Sequence, residues 1–554
     1  MRYQLAIQSI KARATLLLLL LFSLNHSIAV AQEAIVGPPI TPQELILLDD
    51  ATLHDVAIVG KEIGYAVGNR GCIRKTTDGG QTWKFLPTPV ACNWESVVFL
   101  TDKIGWVAGG VVAVDGRTTQ GCILATRDGG ATWQIQAPVG LGYLKHLQFF
   151  DLNKGVVCGE STSNNPSGIW QTADGGKSWT GVVHPQQYRW LGGHFAEPNS
   201  GVLVGENGQV ALMGGNRLFV DPSLNLGSKS VADVTIDDNA KGWLVGDGGL
   251  IRYSPGGASW QDPATEIPES LRRVFDFRTV ASRGERVWIA GHPGSSILLS
   301  EDAGQSWNVA INPSSAPLNA ITFVDDDTGY AVGELGTIVK TTDGGRSWNL
   351  SAGGIRRLAL LQYSAVPEEV SLSLTARYSG HHGYRTGVIA MCKTEGAEIG
   401  EYVSAPLRLE AAQQHAGGNI SSIRWTLPLD LPEIREHQPE LITRWNRATD
   451  GQLSEYVLTH MVRDIRTYRP TVLVIDSPES HDHAGLLIQQ AVENAVRLAA
   501  DVTAMPDLQS QTMLAPCLCC EIEPAKGVIS FSITTIISQA YNNRFAQRPV
   551  PHID

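Results

Sequence analysis

The sequence predicts a multidomain chain: an all-β, seven-bladed β-propeller over residues 45–350, followed by an α/β Rossmann-like domain over 351–554. Three observations carry this reading. A turn box of the form S/T-x-D-x-G-x-S/T-W recurs through the first part. Each copy follows short apolar strands, one of which reads G-[WYV]-x-x-G. Beyond Leu350 the boxes stop, and helical and strand patterns alternate. A unit of about 40 to 50 residues cannot bury its own hydrophobic face, so such units must stack. Four short strands per unit, repeated in a row, describe a propeller.

The most complete unit is Leu318–Trp348. Ala320–Val324 and Gly329–Gly333 are apolar runs, Thr337–Lys340 begins a third strand, and TTDGGRSW turns back onto Trp348. In that turn Asp343 accepts backbone N–H bonds, the glycine pair supplies positive φ, and Trp348 returns inward to pack. The same box ends on Trp83, Trp133, Trp179 and Trp307. A worn copy, YSPGGASW, ends on Trp260 with Pro255 in the place of the Asp. Between Trp179 and Trp260 lie two periods. The segment SGVLVGENGQVALMGGNRLF between them keeps its strands but has lost the Asp and Trp of the box. Counting it gives seven units. Asp78, Asp128, Asp174, Asp302 and Asp343 are therefore structural caps, all on one outer face. Glu44–Leu47 is read as an early strand that joins the last blade near Trp348 and closes the ring, and Asn349–Gly354 leads outward.

Ahead of the ring, Met1–Ala31 has a signal peptide's form. Arg2, Lys11 and Arg13 precede an apolar core at Ala14–Leu24, and Ala29-Val30-Ala31 offers a small-x-small cleavage site after Ala31. Residues 32–44 form a linker, and no later stretch is apolar enough to span a bilayer. The expectation is an exported protein, periplasmic or extracellular. A net charge of −12 argues against nucleic acid as a partner. Between Ala51 and Leu350 there are 23 Lys and Arg against 29 Asp and Glu, so the ring is itself acidic. Its one basic concentration, Arg272, Arg273, Arg278, Arg283 and Arg286, reads as a solvated strand edge or a partner patch. An exported chain can hold disulfides, and loop positions allow Cys92 to pair with Cys72 or with Cys122. Cys517, Cys519 and Cys520 lack the second CxxC or the His pair that a zinc site needs.

The box is the Asp-box, or BNR repeat. With the preceding YAVGxxGxIxxT strands, residues 45–350 resemble the photosystem II stability and assembly factor propellers. In the second part, Arg357–Gln362 and Arg385–Cys392 read as strands, Ala405–His415 as a helix and Ile423–Leu427 as a strand. Glu440–Tyr468 reads as mostly helical, Pro470–Ile475 as a buried strand and Ala484–Ala500 as a helix. AVPEEV, KTEGAEIG and SHDHAG, in that order, resemble degenerate motifs of the PIG-L or LmbE-like zinc-dependent N-deacetylases, over roughly 355–505. The resemblance implies a divalent metal on two His and one carboxylate, with a second carboxylate as general base. Glu368 then stands in the place of the base and Glu369 in that of the carboxylate ligand. His483 stands for the late His ligand, and His481 or Ser480 for the His on the oxyanion side. Val366 occupies the place of the first His ligand, and valine cannot hold a metal.

Three functions compete. The first is a non-catalytic binding or assembly protein whose propeller engages a protein or glycan partner, with a degenerate second domain and no cofactor. The second is a zinc-dependent N-deacetylase of N-acetylated sugars, with the propeller as an accessory. The third is a sialidase-like glycosidase, which needs an arginine triad, a Tyr nucleophile with a carboxylate and an N-terminal F/Y-R-I-P-like motif; no such motif is present, and a propeller alone does not imply activity.

Overall fold

The computed structural model describes residues 35–508, apart from 394–402, 430–436 and stretches of one to three residues. Met1–Ala31 with its cleavage site, most of KTEGAEIG, and the cysteines at 517, 519 and 520 lie outside the described residues.

Seven antiparallel sheets follow one another along the chain, with their strands at 53–85, 93–135, 144–181, 190–220, 231–254, 276–311 and 318–352. In each sheet the strands pair in sequence order, and the first strand of every blade packs against the first strand of the next. The seventh blade meets the first in the same way, and Asn319 Nδ2 of one donates to the Leu53 carbonyl of the other at 2.8 Å. The ring is thus a closed seven-bladed β-propeller.

Closure differs from the expected strand exchange. Glu44–Leu47 lies inside the helix Pro42–Asp49. Thr41 caps it by accepting from the Glu44 N–H, while the Glu44 carboxylate accepts from the Thr41 N–H at 2.9 Å. That reciprocal box, with Pro42 in the first turn, makes the segment helical. The last blade completes itself, because Asn349–Ala352 pairs with Ile338–Thr341.

The two worn units are real blades. Val210–Gly214 turns back into Arg217–Val220 to finish the fourth. The fifth has three strands, and only a bridge between Tyr253 and Gln261 stands for its fourth. Pro263 follows two residues later and has no N–H to extend that ladder.

The Asp-boxes share one geometry. In the first, the Thr76 hydroxyl donates to Asp78 Oδ1 at 2.7 Å and accepts from the Gly80 N–H at 2.9 Å. Asp78 also accepts from the Thr82 N–H at 2.9 Å and from its hydroxyl at 2.6 Å. Asp128, Asp174, Asp302 and Asp343 repeat the arrangement. Each box is also a joint between blades. The second-strand aromatic of the preceding blade donates to the first glycine carbonyl of the box: Tyr330 to Gly79 at 2.8 Å, Tyr65 to Gly129 at 3.2 Å, Trp106 to Gly175 at 3.1 Å and Trp288 to Gly344 at 2.9 Å. At the sixth box Trp243 lies where a Cβ on Gly304 would come within 2.2 Å of its ring, so only glycine fits. Near the channel, Asp55 and Asp233 reach across to the next blade, accepting from the Val97 and Val280 N–H groups.

Beyond Ala352 the chain builds a parallel sheet from Leu360–Ser364, Thr386–Lys393, Ile420–Pro428 and Val472–Ile475. In chain order the strands lie third, second, first, fourth. The first and last of these strands, Leu360–Ser364 and Val472–Ile475, are parallel neighbours, with Val472–Ile475 at one edge of the sheet. Helices Ala405–His415, Gln438–Ala448, Leu453–Tyr468 and His483–Ala500 accompany the sheet. One apolar cluster joins the two parts, with Trp243, Phe275, Phe277 and Leu335 of the ring beside Leu361, Tyr363, Ile465 and Tyr468.

Two expectations follow for the boxes. Asp343→Asn leaves one acceptor but turns an amide donor toward Ser347, so it should cost about 1 kcal/mol in chemical denaturation. The Thr82 hydroxyl and N–H hold Asp78 down from 3.8 to about 2. A depressed carboxylate contributes stability above its unfolded pKa and loses it as pH falls through the folded one. The difference in melting temperature between the parent and Asp78→Asn should therefore shrink as pH falls from about 4 towards about 2.

Candidate functional site

The carboxyl ends of the neighbouring parallel strands Leu360–Ser364 and Val472–Ile475, the end of a parallel sheet where sites form, carry the first group of expected residues. After Leu360–Ser364 the chain makes a short 3₁₀ turn at Pro367–Glu369. Val366, in the place of the first ligand, is buried. Glu368 points outward and its carboxylate lies 3.8 Å from Arg408. Glu369 lines a narrow cleft with Ser364, Pro478 and Asp482. His481 is exposed and lies 3.4 Å from the equally exposed Glu479. His483 opens the last helix, whose N-cap, Asp482, accepts from the Gly485 N–H at 3.0 Å. The expected convergence of Glu368, Glu369, His481 and His483 does not occur: among the described residues no three His, Cys, Asp or Glu side chains come together as a metal-binding group. The reason is local. Glu368 sits on the outer side of its turn, and the Asp482 cap starts the helix so that His481 is left in the loop before it.

The larger assembly of polar groups lies between the ring and the second domain. The second domain rests on the ring face opposite the Asp-boxes. Asn69 of the first blade donates to Glu410 at 2.8 Å, and Arg70 donates to the Gly418 carbonyl at 2.6 Å. Lys393 donates to Asn207 of the fourth blade at 2.6 Å. Trp425 reaches Asp276 of the sixth at 3.4 Å, and Tyr468 donates to Glu334 of the seventh at 2.7 Å. Val112 and Tyr143 of the second and third blades pack against Val403 and Leu407.

At the centre of this contact is a buried ionic cluster. Asp276 lies 3.0 Å from Arg463 and 3.7 Å from Arg424. Asp464 pairs with Arg424 and lies 3.5 Å from both Arg463 and His292. Arg463 also donates to the Val274 carbonyl of the ring at 2.7 Å. Burial alone would raise the Asp276 pKa, but Arg463, His460 and Arg424 outweigh it and hold the carboxylate well below its usual range. Burial first, then the same arginines, pushes His292 far down, so it stays neutral. Charge patterning hinted at none of this, because Asp276, Arg424 and Arg463 are far apart in the chain.

The basic concentration dissolves into separate pairs. Arg273 pairs with Glu269 and Glu455, Arg278 with Glu334, and Arg283 with Asp326. Arg286 donates to the Asp326 carbonyl. The three expected cysteines are buried thiols. Cys92 lies beside Cys122 in one apolar cluster, whereas Cys72 belongs to another and faces the Leu48 carbonyl at 3.7 Å.

Fold and boxes together define an Asp-box β-propeller with a second domain fixed over one face. The family model described as "Photosynthesis system II assembly factor YCF48" matches residues 221–317. The photosystem II assembly protein Ycf48 of Thermosynechococcus vestitus is 26% identical over 315 residues, covering 54% of this chain and 84% of that protein. The chloroplastic photosystem II stability/assembly factor HCF136 of Arabidopsis thaliana is 25% identical over 355 residues, covering 57% and 84%. A solved structure of YCF48 bound to D1 peptide aligns with TM-score 0.43 and 22% identity, over 57% of this chain and 96% of that one. The first part of the chain is thus a β-propeller similar in sequence to photosystem II assembly factors.

The ionic cluster yields a direct expectation. Asp276→Asn would leave two buried arginines facing one carboxylate, a loss of about 3–5 kcal/mol for breaking a buried pair. Denaturant titration should show that loss, and limited proteolysis should cut the second domain faster than in the parent protein.

Proposed function

We propose that this chain is an exported, non-catalytic assembly protein whose propeller engages a protein partner. The observation that carries this is the likeness of the ring, over more than half of the chain, to relatives whose names describe assembly of a protein complex. The second domain takes up the face opposite the boxes, so the partner meets the Asp-box face. That face carries Asp78, Asp128, Asp174, Asp302 and Asp343 in its turns, and Asp102, Asp151 and Asp325–Asp327 in the loops between first and second strands. An acidic face selects a partner segment rich in Lys and Arg, and the attraction acts mainly on association rate and specificity. The second domain is read as a degenerate PIG-L or LmbE-like unit, with buried Val366 where a ligand would stand. Of the two pairings open to Cys92 in an exported chain, the one with Cys122 is favoured by their shared apolar cluster.

The test is affinity capture with the tagged full chain from the exported fraction of its own cells, followed by identification of the bound subunits. Capture of a complex subunit through a basic segment, weakened by salt and lost in Asp326→Lys/Asp327→Lys, is the expected result. Capture unaffected by those changes would remove the acidic face from the proposal. Chelator-sensitive release of acetate from an N-acetylated sugar would overturn the non-catalytic reading.

A further inference from the structure

One edge of the parallel sheet is unfinished. Val472–Ile475 pairs with Leu360–Ser364 on one side, and among the described residues no strand pairs with it on the other. The Val472 N–H donates to the Ala359 carbonyl at 2.9 Å, so alternation along the strand turns the Leu473 and Ile475 amides to the open side. All four residues are apolar, yet each is only half-buried, whereas Leu360, Leu361 and Tyr363 beside them are 4% exposed or less. Parallel strands are normally covered on both faces, and an apolar edge left open pairs with other chains.

The chain returns to that edge at the end where a further strand would begin. Helix His483–Ala500 follows the open strand, packs along Leu453–Tyr468 and joins the same apolar cluster as Leu473 and Ile475. Beside its buried stripe, the apolar residues Leu487, Ala491 and Leu498 are only half-buried. The end of this helix is gathered in by Arg466, which donates to the carbonyls of Leu498, Asp501, Ala504 and Met505 at distances from 2.9 to 3.1 Å. Arg466 stands shortly before Val472 in the chain, so this anchor lies at the amino-terminal end of the open strand. Leu508, where the described residues stop, is buried in the same cluster.

The sequence beyond Leu508 contains a matching segment. Residues 527–540 carry no charge, and Ile529, Phe531 and Ile533 alternate with Ser530, Ser532 and Thr534. Such alternation specifies a strand with one apolar and one polar face. The intervening residues 509–527 reach up to about 60 Å when extended, far more than the roughly 5 Å between neighbouring strands. We propose that Val528–Ile537 of this same chain occupies the open edge as a fifth parallel strand beside Val472–Ile475. Its isoleucines and Phe531 then face the helix His483–Ala500, and its hydroxyl-bearing residues face the other way. The sheet order becomes third, second, first, fourth, fifth, which is how a doubly wound sheet grows, with that helix as the crossover. An uncharged run of this kind is itself prone to pair with other chains, so the edge and the run protect each other.

The test is amide hydrogen exchange, read by mass spectrometry on the full chain. Peptides over Val472–Ile475 and over 528–537 should both be protected, and the protection should survive dilution with the chain monomeric by light scattering. Phe531→Asp/Ile533→Asp should speed exchange at Val472–Ile475 roughly tenfold or more, while the ring strands exchange as in the parent. Should that variant fail to fold, Ser532→Pro/Ile533→Pro removes ladder N–H groups from both sides of the strand and should give the same loss. Fast exchange over 528–537 in the parent chain overturns the proposal, as does unaltered protection at Val472–Ile475 in the variants. Protection lost on dilution overturns it too, because the edge is then covered by a second copy. None of these outcomes depends on whether the acidic face captures a protein.

Discussion

The ring rests on one repeated contact: an aromatic N–H or O–H from one blade donated to the first glycine carbonyl of the next blade's Asp-box. A blade alone exposes two apolar faces, and the contact holds each face against its neighbour in a single register. The box therefore has two roles at once. Its Asp and Thr or Ser close the turn by short-range hydrogen bonds, and the closed turn presents a carbonyl at a fixed place for the neighbouring ring to find. Glycine is required where the aromatic ring passes directly over the turn. At Gly345 an added Cβ would come 2.4 Å from Trp288 Nε1. The sixth box shows how far the pattern can wear. Ala303 there takes a left-handed conformation, φ +55°, that glycine would hold without strain.

A second constraint joins the ring to the domain that follows it. The cluster of Asp276, Asp464, Arg424 and Arg463 is buried, so its members tolerate one another's presence far better than one another's loss. Around it lies an apolar contact to which both parts contribute. The second domain consequently acts as a fitted cover over one ring face, and the charges that would otherwise line that face are spent on it. Arg356 and Arg385 bind Asp50 in the same way at its margin. Among the described residues the second domain leaves the opposite face uncovered, and the aspartates of that face come from the boxes and the loops beside them.

The deacetylase-like motifs illustrate why order along a chain does not imply a site. The strands and helices fall where the patterns place them, and the first and last strands lie side by side. Yet metal ligation needs three side chains aimed at one point within a fraction of an ångström. Glu368 turns out to Arg408, and the Asp482 cap leaves His481 in the loop paired with Glu479. With valine at the first position, nothing holds the others to a common centre. The cleft between the helix Ala405–His415 and the ring had no counterpart in any motif, because its walls come from distant segments of the chain.

By itself, the sequence determined the features that depend on short-range periodicity: seven blades, the five intact boxes, and the alternation of strand and helix after the ring. These are carried by alternating apolar residues and by turn chemistry that acts within about five residues. It also determined that the fourth and fifth blades are worn, since the fourth lacks both the Asp and the Trp of the box and the fifth has Pro255 in place of its Asp. The helix at Pro42–Asp49 was legible in principle from Thr41, Pro42 and Glu44, and the pull of the expected ring closure hid it. Only the tertiary structure decided how the ring closes, which face the second domain covers, and which acid meets which arginine. Those outcomes depend on side chains hundreds of residues apart, such as Asn69 and Glu410 or Arg356 and Asp50, that become neighbours only after both parts have folded. Local pattern cannot encode such pairings, because the energy that selects them exists only in the packed interface.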